Sequence, residues 1–194
     1  MTPRVADILA RIQSLEEELA QELEAGLALH GFSLKGRLGA FEREVVERHR
    51  TLRLGLVRYL GQSSVLSYVS APVIYSLALP LALLDGWVSL YQSICFRVYG
   101  IPRVRRAEYI AFDRHHLAYL NWIEALNCAY CAYGNGVIAY AREIAGRTEQ
   151  YWCPIKHAVH IRDPHRRYLK FLEYGDAEGY RSQLAAYRRK VREP

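Results

Sequence analysis

Residues 59 to 84 carry no charged side chain, and between Arg58 and Arg97 only Asp85 interrupts the apolar run. A stretch of about twenty apolar residues is enough to cross the hydrocarbon core of a bilayer as a helix. A run of this kind either lies inside a helical core or meets lipid. Pro72 and Pro80 fall within it, and apolar and aromatic residues continue past Asp85 through Trp87 to Phe96. Proline removes a backbone donor and bends a helix, which argues against one straight span. Arg50, Arg53 and Arg58 precede the run, while Arg97, Arg103, Arg105 and Arg106 follow it. Positive charge on both flanks opposes moving either one across a membrane. The expected form is therefore a bent or re-entrant helical segment over 61–99, turning near Pro80, with both ends on the cytoplasmic face. Trp87 at headgroup depth and Arg103, Arg105 and Arg106 beside it are the expected lipid contacts. Asp85 is costly in lipid unless it faces protein, water or an arginine.

The rest of the chain reads as helical, so the expected class is all-α in three regions. Val5, Ile8, Ile12, Leu15, Leu19, Leu23 and Leu27 recur at helical steps after Thr2 and Pro3, up to a stop near His30 and Gly31. Beyond the turn from Gly31 to Gly36, Leu38, Phe41, Val45, Leu52, Leu56 and Tyr59 keep the same spacing. An antiparallel helical hairpin over 1–60 follows. Residues 1 to 58 balance nine Lys/Arg with nine Asp/Glu, while 97 to 194 hold seventeen against ten, so the net charge of +6 belongs to the C-terminal half. That half ends in a basic helix with Arg188, Arg189, Lys190 and Arg192, read as a solvated tail. No nucleic-acid-binding motif accompanies the basicity, and no nucleic-acid partner is expected.

Four cysteines are too few for a disulfide scaffold in a chain of 194 residues, and the N-terminus lacks a secretory pattern, so reduced thiols are expected. The strings CAYC (Cys128 to Cys131) and CPIKH (Cys153 to His157) place three thiols and an imidazole where one ion can collect them. Gly134 and Gly136 suggest a turn after the first pair, and Pro154 suggests a new helix that would bring His157 over the face of Cys153. The preferred metal ligands over 100–194 are thus Cys128, Cys131, Cys153 and His157, with Cys95 and His160 as alternatives. Asp113 and His116, three apart, are candidates for supporting that site. Zinc is the expected ion and iron the alternative.

The strings NCAYCAYGNG from Asn127 and RTEQYWCPIKH from Arg147, with PLALLD and YGIPRVRR upstream, resemble an uncharacterised bacterial family of small membrane-associated proteins. The similarity spans 64 to 158 and carries no established activity. It supports treating the apolar segment and both Cys clusters as one functional unit. The expected location is the bacterial inner membrane, cytoplasmic face, and the expected partners are membrane lipid and a protein. The leading expectation is a membrane-associated Cys3His structural, docking or assembly module rather than an enzyme, because a closed four-ligand site leaves no open position for a substrate. The alternatives are an iron–thiolate electron-transfer protein and a dithiol oxidoreductase using Cys128 and Cys131.

Overall fold

The structure is a computed structural model that describes residues 3–29, 32–35, 38–41, 43–62 and 64–193. It is predominantly helical and divides into two compact units, Met1–Gln62 with Arg114–Ala125 and Ser63–Asp113 with Leu126–Pro194.

In the first unit, α1 (Pro3–Leu29) takes up the amphipathic repeat, and Ile8, Ile12, Leu15, Leu19 and Leu23 of its apolar stripe are exposed. The helical hairpin expected for 1–60 is not what forms. The stretch around Leu38 and Phe41 is extended: β1 (Phe32–Lys35) pairs antiparallel with β2 (Leu38–Phe41), Phe32 opposite Phe41 and Lys35 opposite Leu38. Strand and helix patterns are hard to tell apart in runs this short, and antiparallel pairing of the two segments decided the matter. The expected helix start at Thr2, the stop at His30 and Gly31, and the Gly36 turn lie outside the described residues. Two short helices follow, α2 (Arg43–Thr51) and α3 (Leu56–Gln62).

The second unit is built on two long helical columns. The apolar run forms α4 (Val65–Ser76), α5 (Ala78–Tyr91), a π-helical stretch Gln92–Phe96 and the single turn α6 (Arg97–Tyr99). Ser64 caps α4 by accepting from the Leu66 N–H. The chain does not turn back at Pro80. Leu77, between α4 and α5, stays right-handed helical (φ −64°, ψ −18°), and the 35 residues Val65–Tyr99 continue as one helix. Pro80 occupies the first turn of α5, just past Leu77, so the donor that it lacks falls at the junction of the two segments rather than in the middle of either. Reversal comes instead at Gly100, whose φ of 69° suits glycine, as the Ile101 N–H closes back on the Phe96 carbonyl at 2.8 Å.

The second column is α7 (Trp122–Trp152), which belongs to this unit from Leu126 onward. Asn121 caps it, its Oδ1 accepting from the Ile123 and Glu124 N–H groups while Glu124 returns a carboxylate to the Asn121 N–H. The columns run parallel: the Tyr130 hydroxyl reaches Ile74 O, Tyr133 reaches Asp85, Tyr140 meets Ser89, and Thr148 meets Tyr91. Residues 101–113 return as a strap that contacts both. Val104 is tied to Gln92, Arg106 to Asp85 and Pro102 to Arg147, and Phe112 stacks on Tyr133. Phe96, Ile101, Val104, Tyr140, Ile144, Tyr151 and Val191 form the main core, and Leu81, Ile110 and Val137 a second.

The C-terminal helix α8 (Ala177–Arg192) is less free than its charge suggested. Arg188 lies over the rings of Tyr151 and Trp152, and Arg192 donates to the Tyr99 carbonyl at 2.9 Å. Arg192 also lies over the Tyr151 ring, so two of the five basic residues of α8 are spent on the aromatic end of α7, where flat guanidinium groups stack well.

Candidate functional site

The four preferred metal ligands are not brought together within one chain. Cys128 and Cys131 stand one turn apart on α7, half-buried and exposed respectively, and Cys153 is exposed just past the end of the same helix. At a helical rise of 1.5 Å per residue, the axial separation of Cys128 and Cys153 is roughly 37 Å. The expected turn at Gly134–Gly136 is helix, because those glycines serve packing. A Cβ on Gly136 would lie 2.6 Å from the Tyr109 carbonyl oxygen and one on Gly134 3.2 Å from a Leu81 methyl. Asn135 folds its amide back onto the Cys131 carbonyl at 2.9 Å.

Nor does Pro154 begin a helix. The segment after Cys153 is extended, Ile155 forming a parallel bridge with Leu172. Lys156 N–H donates to Leu172 O and Leu172 N–H to Pro154 O, which consumes the backbone that a new helix would need. The His157 N–H donates to the Tyr168 hydroxyl at 2.6 Å and the two rings stack, while His160 is exposed in the following loop. Cys95 is half-buried in the π-helical stretch. Asp113 lies in coil and His116 in a short 3-10 turn, not on one helix face. Among the described residues no group of three or more His, Cys, Asp or Glu side chains could hold one ion. Zinc or iron at Cys128 and Cys131 would need its remaining ligands from elsewhere than these positions of the same chain.

What the fold does assemble is an ionic clasp on the apolar column. Asp85 is buried at 8% exposure and accepts from Arg106 through both carboxylate oxygens, at 2.9, 3.1 and 2.6 Å, with the Tyr133 hydroxyl adding a bond at 3.1 Å. Arg106, one of the expected lipid contacts, thus has its charge paired with Asp85 while its side chain stays partly exposed. Arg103 remains exposed with a bond to Ser93 Oγ, Arg105 is exposed 3.5 Å from Glu108, and Trp87 is exposed on α5. The clasp carries no net charge and fastens the strap to the apolar helix, which is how an acid inside such a run is made tolerable. One turn or two beyond, Gln92 is 2% exposed, accepts from the Val104 N–H at 2.9 Å and donates to the Tyr140 hydroxyl.

A second polar cluster, unanticipated from the sequence, ties α7 to the loop before α8. Glu143 accepts from Arg147 at 2.8 Å and from Arg167 at 2.9 Å, and Arg167 also reaches Gln150. His165 Nε2 lies 2.8 Å from Glu149, and its ring sits against Gly146, where a Cβ would come within 2.9 Å of Nδ1. The only sequence signal was the four-residue spacing of Glu143 and Arg147; Arg167 arrives from a loop that no periodicity places. Burial alone would raise the Glu143 carboxyl, but the hydrogen bonds and charges of Arg147 and Arg167 outweigh it and hold it below the ordinary carboxylate range. A carboxyl depressed on folding stabilises fully above its unfolded value, and the contribution fades as pH falls through the folded one. Glu143→Gln is therefore expected to cost about 1 kcal/mol at neutral pH and progressively less in acid. Thermal melts of both proteins across the acid range check it, and parallel curves would refute it.

No protein-family model matches the chain, and neither the curated proteins nor the solved structures contain one similar to it. Functional argument therefore rests on the chain's own physical chemistry, which supplies one helix long and apolar enough to cross a membrane, Val65–Tyr99.

Proposed function

We propose that this chain is a membrane-attached helical module with a structural or docking role, held in the bilayer by the N-terminal part of the apolar column. The observation that carries the reading is the outward display of its hydrocarbon. Val65, Leu66, Val73 and Leu83 are 66–77% exposed, and α4 has no buried residue. A water-soluble core helix buries such side chains, each worth about 1.5–3 kcal/mol when removed from water. Large contiguous apolar faces mark lipid or protein contact.

The polar attachments are distributed unevenly along the same column. From Asp85 onward one side bears the strap with Arg103, Arg105 and Arg106, whereas 65–84 carries neither charge nor strap arginine. Residues 65–84 rise about 30 Å as a helix, close to the thickness of a hydrocarbon core. In this reading the clasp marks the edge of the apolar layer, Trp87 sits beside it at headgroup depth, the stretch of α7 around Tyr130 accompanies the apolar column, and the part of the second unit beyond the clasp offers a protein-docking surface in water.

The test is membrane fractionation of the full chain. Wild-type protein should stay with membranes through concentrated salt and alkaline carbonate and leave only in detergent. Val69→Asp with Val73→Asp, both on exposed positions of α4, should move most of it to the soluble fraction with helical content retained. Release of the wild type by salt alone would overturn the reading.

A further inference from the structure

We infer that the first unit contains a binding site for a phosphate group. The reading is independent of the membrane proposal, and every residue that it uses lies in the unit Met1–Gln62 with Arg114–Ala125. An open cavity of about 560 Å³ is lined by Arg50 and Arg53 at one side and by Leu117, Leu120, Asn121 and Trp122 at the other. No carboxylate lines it among the described residues. Arg50 donates one N–H to Glu47 at 2.9 Å, which leaves its other donors available, and Arg53 is exposed.

The independent observation is Asn121. The residue is 2% exposed, its Oδ1 is fully used by the cap of α7, and its Nδ2 is buried with no hydrogen-bond partner among the described residues. A buried amide donor left unmade costs about 1–3 kcal/mol, which an acceptor entering the cavity would recover. The first amides of α7 are not offered, because Asn121 already holds Ile123 and Glu124; the donors are side chains. Two guanidinium groups three residues apart and one amide suit an oxyanion with several acceptor oxygens on a tetrahedral centre, since guanidinium binds phosphate with paired, charge-assisted bonds. Leu117, Leu120 and Trp122 give the same cavity an apolar wall, which suits a phosphate attached to hydrocarbon.

Calorimetric titration of the detergent-purified full chain tests this with inorganic phosphate, with water-soluble dihexanoyl phosphatidic acid, and with dihexanoyl phosphatidylcholine as a zwitterionic control. At least one of the first two should bind and the control should not. Tighter binding of phosphatidic acid identifies a lipid headgroup as the source, and equal binding identifies the free anion. Asn121→Asp keeps the cap and replaces the donor by a carboxylate, so it should weaken binding at least about tenfold with helical content unchanged. Arg53→Gln, at an exposed position, should do the same without any burden on folding. Absence of binding by both phosphate probes, equal binding of the control, or unchanged affinity in Arg53→Gln would overturn the assignment.

Discussion

Tyr140→Ala is expected to destabilise the second unit by about 3–5 kcal/mol, the range for emptying an aromatic site in a packed core. Tyr140 is 1% exposed among Phe96, Ile101, Val104 and Ile144, at the level where both columns and the strap meet. Its hydroxyl also accepts from Gln92, itself buried inside the apolar column, and lies 3.2 Å from Ser89. Tyr140→Phe keeps the ring and removes only the hydroxyl, with its bonds to Gln92 and Ser89. Gln92 Nε2 retains the Val104 carbonyl at 3.3 Å, so the cost should be nearer about 1 kcal/mol. Thermal unfolding in mild detergent separates the two. Equal losses would show that the hydrogen bond, and not the packed ring, holds the columns together.

Gly136→Ala is the second large effect, and its sign is the informative part. On an exposed helix face, alanine is favoured over glycine by about 1 kcal/mol. At Gly136 the new methyl would stand 2.6 Å from the Tyr109 carbonyl oxygen, 2.8 Å from Ile110 Cγ1 and 3.1 Å from Ile110 Cα. Two of those atoms are backbone and cannot rotate away. The strap must lift, which also strains the Arg106 bonds to Asp85 a few residues earlier. A net loss of about 1–3 kcal/mol is expected, as for overpacking elsewhere. Gly134→Ala, two residues away, meets only a Leu81 methyl at 3.2 Å and should be close to neutral. Stability measured for the two variants side by side decides whether the strap lies as described; equal values would mean that it does not.

The helical class and the apolar column were legible because both rest on periodicity and charge, which act locally. The Ser64 cap, the capping box at Asn121 and the arrest at Gly100 have the same local character, each depending on neighbours within a few residues. The pairing of Asp85 with Arg106 was half legible: an acid in such a run calls for a partner, and an arginine was a stated option, but which arginine depends on how the strap returns. The separation of the Cys/His residues within one chain has a different origin. Gly134 and Gly136 look like turn residues in isolation, and only the strap crossing α7 reveals that they are small because something passes close. With the helix unbroken, Cys128 and Cys153 are carried apart along the axis of α7. Gln92 gives no motif, being a lone amide among apolar residues, and the box that Asn121 shares with Glu124 tells nothing of its buried Nδ2.

The sequence alone determined that this chain is helical, that one column is too apolar for ordinary water-exposed surface, and that the acid within it needs compensation, since these follow from hydrogen-bond geometry and the cost of hydrating hydrocarbon. Only the tertiary structure decided which groups meet: the parallel columns, the strap at Gly136, the clasp, and the separation of the thiols. Contacts between residues far apart in sequence depend on where the chain reverses, and here it reversed at Gly100 rather than at Pro80.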